Sequence, residues 1–139
     1  MSIKRDPFDS ELSRMLTIFA QAKHCWASTT RPDGRTHLAP IWHVWYEGCI
    51  YLVTTTGSTR AHNIACNRHI TLSLPDPENV LIIEGSVRPA TEYRKELQPI
   101  FTAKYNWNIS LNDKYNMILE VLPDLVLAWG NHGEGRWAF

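Results

Sequence analysis

Residues 24–55 read HCWASTTRPDGRTHLAPIWHVWYEGCIYLVTT, and the turns inside this stretch decide the fold. Between His24–Thr30 and Thr36–Tyr46 stand Arg31-Pro32-Asp33-Gly34-Arg35, with proline at a turn's second position and glycine at its end. Such a segment reverses a chain rather than carrying it into a helix. Glu47-Gly48 is a second tight turn, and Cys49–Thr55 is rich in the β-branched and aromatic residues that suit a pleated surface. Three antiparallel strands in succession are expected, a meander with no helix available to cross over between parallel strands.

Upstream, Leu12, Met15, Leu16, Phe19 and Ala20 form one stripe at the i, i+3, i+4, i+7 spacing of an amphipathic helix over Pro7–Lys23, with Asp6-Pro7 as its start. Downstream, Gly57-Ser58 ends the third strand. Ala61, Ile64 and Ala65 then predict a short helix over Thr59–Asn67 behind a Ser58 or Thr59 cap. Strands follow at His69–Leu74 and Val80–Pro89, and Gly85 in the latter predicts a bulge or bend of the kind that curls a sheet toward closure. Thr91 is expected to cap a helix over Glu92–Tyr105 that Pro99 should kink or restart near Gln98. Asn106–Asn116 reads as polar loop. Met117–Trp129 and Arg136–Phe139 read as a closing hairpin, with Pro123 expected at an edge or a bulge. About six or seven antiparallel strands with three helices imply a mainly β barrel or sandwich rather than a doubly wound sheet.

At 139 residues and 44% hydrophobic, the chain fits one domain spanning 1–139, large enough to bury a core. Its 14 basic and 14 acidic residues cancel without blocks of like charge. That balance argues against nucleic-acid or membrane-surface partners, so any anion must be bound locally. With no run of 18 apolar residues and no apolar stretch at the start, a cytoplasmic location is expected. Cys25, Cys49 and Cys66 form no Cys-x-x-Cys pair, which predicts free, mostly buried thiols and no metal site. No His-x-x-x-His or Gly-x-Ser-x-Gly motif supports a hydrolase. Six tryptophans and five tyrosines suit a filled barrel core, a dimer seam, or a ring-stacking cofactor.

The stretch Thr54-Thr55-Thr56-Gly57-Ser58-Thr59-Arg60-Ala61 carries the most chemistry. Hydroxyls at a strand's end, a glycine that admits close backbone approach and an arginine in a helix's first turn would together hold a phosphate. The same residues also suit an ordinary capped helix. His43 is either a proton donor near pH 6.5 or a structural strand histidine. Trp42 and Trp45 are candidates for stacking on a ring or filling a dimer seam.

The order of these segments resembles the pyridoxamine 5'-phosphate oxidase-like split β-barrels. The resemblance covers the amphipathic helix, the Arg-Pro-Asp-Gly-Arg hairpin, Ala39–Trp45, Thr54 with Gly57–Ile64, and Asn67–Leu72, and it extends from about residue 8 to the C terminus. It implies an FMN-dependent oxidoreductase that moves hydride through the flavin N5 to or from a small molecule, and a homodimer sharing the cofactor across its interface. It also assigns Thr54, Ser58 and Arg60 to the FMN phosphate, with Thr55 and Thr59 beside them, and Pro40, Ile41, Trp42 and His43 to the strand along the ring. The family's usual Arg-Lys pair is Thr59-Arg60 here, one cation fewer. The ending Leu125–Gly130 and Arg136–Phe139 is similar to that of relatives using the deazaflavin coenzyme F-420. This makes an F-420-dependent reductase the alternative; Trp129, Arg136 and Trp137 read first as packing of the closing hairpin and second as candidates for reaching a partner's cofactor. A non-catalytic flavin or haem carrier is a third reading. Counterparts of the substrate-binding residues of pyridoxamine phosphate oxidases are not evident, so neither a substrate nor a catalytic side chain is assigned.

Overall fold

The computed structural model describes residues 3–4, 10–109 and 114–139. Nine strands are present among them: β1 (Ile3–Lys4), β2 (Cys25–Thr30), β3 (Thr36–Ile41), β4 (His43–Tyr46), β5 (Cys49–Thr54), β6 (His69–Ser73), β7 (Asn79–Pro89), β8 (Met117–Gly130) and β9 (Gly135–Ala138). Three α-helices accompany them: α1 (Ser10–Gln21), α2 (Thr59–Cys66) and α3 (Arg94–Tyr105). The count exceeds the expected six or seven for two reasons. The strand predicted over Thr36–Tyr46 is broken at Trp42, and the two-residue β1 pairs in parallel with β9.

That break organises the molecule. Residues 36–41 pair back onto β2 with Trp26 opposite Pro40, whereas residues 43–46 pair forward onto β5 with His43 opposite Leu52. The expected meander is therefore bent at one residue, and its halves serve different neighbours. Because β5 also pairs with β8, β8 with β7, β7 with β6 and β6 with β2, the ladder returns to its start and closes as an antiparallel barrel. Closure leaves few free edges, which suits strands this rich in Val, Ile and aromatic residues.

Gly85 and Pro123 share one device. The β7–β8 register shifts between Glu84 and Gly85, Gly85 faces Pro123, and Asp124 is left out of the ladder. A side chain at Gly85 would run into the carbonyl of Leu122, so only glycine fits the bulge.

The α1 stripe buries Leu12, Met15 and Phe19 in the main core with Leu52, Leu72, Ile83 and Trp137. A second cluster under α3 contains Val44, Leu97, Phe101 and Ile118. The predicted helix start at Asp6-Pro7 lies outside the described residues. α3 departs from expectation in two ways. It runs through Pro99 as one element, and Thr91 caps no helix but accepts the Ile118 N–H (3.4 Å), a 3-10 turn at Thr91–Tyr93 leading into the helix instead. The three cysteines are free, with Cys25 buried, Cys49 half-buried and Cys66 exposed rather than buried as expected. Among the described residues no helix is long and apolar enough to cross a membrane.

Candidate functional site

The break at Trp42 is held from outside the barrel by the end of α3. Lys104 Nζ donates to the carbonyls of His43 (2.7 Å) and Ala20 (2.8 Å). Tyr105 Oη accepts the His43 N–H (3.0 Å) and lies within donating distance of the carbonyls of His43 (2.9 Å) and Lys23 (2.8 Å). Burial brings the Lys104 ammonium down to about 8, and it raises the Tyr105 hydroxyl to about 12.

With its backbone so engaged, His43 offers a ligand neither its N–H nor its carbonyl. The ring turns inward, fully buried, with Nε2 at 2.7 Å from the Phe19 carbonyl. A carbonyl only accepts, so Nε2 carries the proton. Burial pulls this imidazole down to about 4 and keeps it neutral. Of the two readings of His43, the geometry supports the structural one.

Trp42 points the other way. Half-exposed, it stacks on Tyr105 with centroids 4.4 Å apart and planes 2° from parallel, and it meets Trp107 edge-on at 5.8 Å. Trp107 in turn meets Phe101 at 6.0 Å and Tyr115 at 5.5 Å. Offset and edge-on contacts of this kind fix ring orientation as well as bury area. The wall they form was not singled out in the sequence. Its signal was the aromatic spacing 101, 105 and 107 at the end of an amphipathic helix. Trp45 by contrast packs against the main core.

Facing this wall across a cleft of about 660 Å³ are Pro40, Ile41, Thr54 and Arg60. The volume falls within the roughly 300–1,000 Å³ of small-molecule sites. Thr54 is buried at the end of β5, its Oγ1 3.2 Å from Ser58 Oγ. Gly57 takes the positive φ (+89°) that lets the chain turn into α2. Ser58 caps that helix by accepting the Ala61 N–H at 3.1 Å. Arg60 folds back along β3, with a long contact of 3.4 Å to the Ala39 carbonyl, and its Nε is buried without a partner. Burial lowers its pKa. An arginine so placed retains donors for an anion.

A second, more open cleft of about 830 Å³ lies over the start of α2, where Ser58 and Thr59 meet Arg31, Arg35 and His62. The Thr54–Ser58 contact thus separates two groups, Thr54 and Arg60 on one side and Ser58 and Thr59 on the other. Thr55 lines neither cleft; its carbonyl accepts the Ser58 N–H (3.0 Å). Trp129 and Arg136 also line neither, pairing instead with Val80 and Leu127 in the β7–β8–β9 ladder. Trp137 is fully buried in the core.

The sequence profile of the family described as pyridoxamine 5'-phosphate oxidase matches residues 13–130. The chain belongs to that family. A comparison with curated protein sequences finds no match. Among solved structures, a conserved hypothetical protein from Mycobacterium tuberculosis superposes with a TM-score of 0.74 at 17% identity, over 95% of this chain and 91% of that one. General stress protein 26 from Bacillus anthracis gives 0.70 at 18%, over 93% and 99%. An F420 reductase gives 0.67 at 20%, over 79% and 93%. These likenesses establish the split-barrel fold. Within this pyridoxamine 5'-phosphate oxidase family member, the two clefts and the Trp42 wall are the features a ligand would meet.

Proposed function

We propose that the chain binds FMN in the cleft beside Trp42 and acts as a flavin-dependent oxidoreductase on a small molecule. One observation carries this reading. A cleft walled by the Trp42 and Trp107 rings contains a buried threonine hydroxyl and an arginine whose buried Nε has no partner. A flat ring that carries a phosphate would meet both an aromatic wall and an unpaired cation there. The flavin, when bound, supplies the hydride chemistry at its N5. The protein's part is to hold the ring edge against Pro40–Trp42, to give the phosphate the Arg60 donors and the Thr54 hydroxyl, and to exclude water with the aromatic wall. Lys104 and Tyr105 act at one remove, fixing the Trp42 break. A homodimer in which Trp129 and Arg136 reach the partner's cleft is part of the proposal, as is a cytoplasmic location.

FMN titrated into the purified protein should bind stoichiometrically and raise its melting temperature by mass action. A colourless protein whose melting FMN does not move would overturn the reading.

The wider, cation-bearing second cleft favours one alternative, the deazaflavin F-420, whose longer and more acidic tail would run past Ser58 toward Arg31 and Arg35. The likeness to an F420 reductase agrees with it. Stabilisation by the deazaflavin alone, in parallel melts, would replace FMN in this account. Tight cofactor retention with no turnover of any acceptor would instead mark a flavin carrier.

A further inference from the structure

The α2 segment supplies one arginine, yet the fold brings a second to the same place. Along β2, Cys25, Ala27 and Thr29 are buried while Trp26 is exposed, so the strand's alternation carries Arg31 to the inward side. Arg31 is pinned there by its own turn, its N–H donating to the Arg35 carbonyl and its carbonyl accepting from Gly34, both at 2.8 Å. Thr29 faces His37 in register across the β2–β3 ladder. From above, Asn63 Nδ2 donates to Thr29 Oγ1 at 3.0 Å and ties α2 to this spot, one helical turn from Arg60.

Arg31 Nε, His37 Nδ1 and Arg60 Nε are all buried without a hydrogen-bond partner. Neither arginine makes an ion pair among the described residues, and the hairpin's carboxylate, Asp33, is engaged by Arg35 at 2.8 Å. Arg60 reaches the Ala39 carbonyl, two residues along β3 from His37, and Thr29, two residues before Arg31, faces His37 across the ladder, so both arginines lie beside that ring; after burial itself, their charges hold its pKa down. Two cations without an ion-pair partner among the described residues, beside buried and unused nitrogens, form a site for an anion.

We propose that Arg31, delivered by the β2–β3 hairpin, joins Arg60 across His37 in a two-arginine anion site between the clefts, supplying the second cation that the α2 segment lacks. The assignment of that anion as the cofactor's phosphate rests on the flavin reading; the site itself does not.

Riboflavin and FMN, which differ only by the phosphate, should be titrated into the wild-type protein and into R31Q, R31K, R60Q and the control R14Q. FMN is expected to bind the wild type more tightly than riboflavin. R31Q should lose roughly 10- to 100-fold in FMN affinity with riboflavin unchanged, as expected for a hydrogen-bonded charge pair. R31K should retain part of that affinity, and R14Q should stay within about twofold because that charge is exposed, paired with Glu11 and outside both clefts. Wild-type affinity for FMN in R31Q, or equal loss of both flavins, would overturn the proposal. So would a wild type that binds FMN no better than riboflavin, although the ring site would then survive. Should the wild type bind neither flavin, the flavin reading falls, and inorganic phosphate becomes the probe. A rise in wild-type melting temperature with phosphate that R31Q lacks sustains the anion site, and equal rises overturn it.

Discussion

Arg60 and His43 come from neighbouring stretches of strand and helix yet meet opposite fates, and burial explains both. Arg60 is partly buried with donors to spare, so its replacement by glutamine should weaken FMN binding by about 1.5 to 3 kcal/mol, measured by fluorescence titration. Unchanged affinity would remove Arg60 from the site. His43 is fully buried and its one ring proton is committed to Phe19. Its pKa falls from 6.5 to about 4 on folding, so between those values the unfolded chain binds a proton that the native state refuses. Stability should therefore fall as pH drops from about 6.5 to 4, by up to about 3 kcal/mol from this group. His43→Gln keeps a donor for the Phe19 carbonyl and should flatten that part of a urea-melt pH profile, whatever it does to stability at pH 7. A profile as steep as wild type would assign the acid sensitivity elsewhere.

At the scale of elements, the β7–β8 bulge and the α2 cap make the clearest demands. Gly85→Ala must push a methyl into the Leu122 carbonyl, and overpacking of this kind costs roughly 1–3 kcal/mol in a denaturant melt. Ser58→Ala removes the acceptor for Ala61 N–H and should cost about 1 kcal/mol. Both features were legible in the sequence, because a glycine inside an apolar strand and a Gly-Ser before a helix each have a local cause. The α1 stripe and the two hairpin turns were legible for the same reason. What was not legible depends on distant partners. Pro99 stays inside one helix because Leu97 and Phe101 on either side of it are buried against β4 and β8 residues. Trp42 breaks its strand because Lys104 and Tyr105, some sixty residues on, take the backbone of His43. The aromatic wall went unread because its members come from one helix and the chain beyond it, and only the closed barrel sets them opposite Thr54.

For the whole molecule, closure of the ladder brings the strand break, the end of β5, the start of α2 and the end of α3 to one region. Composition and hairpin spacing pointed to a barrel, but neither reveals that β5 pairs with β8 and β6 with β2, the long-range contacts that place the clefts. Of the residues expected at the site, Pro40, Ile41, Trp42, Thr54 and Arg60 share one cleft, and Ser58 and Thr59 border the other. Trp129 and Arg136 lie elsewhere on the same chain, so their part in binding requires a second copy. Trp26, Leu38, Leu122, Trp129 and Phe139 are large apolar side chains left exposed, as Trp42 and Tyr115 are. Sedimentation at micromolar concentration should give a dimer; a monomer that binds FMN at full affinity would exclude both residues from the site. The most direct test of the account is a crystal structure of the protein with FMN. It should show the ring against Trp42 and Trp107, with the phosphate bonded to Arg60 and Thr54. A ring bound elsewhere, or the cleft filled by the protein's own side chains, would contradict it.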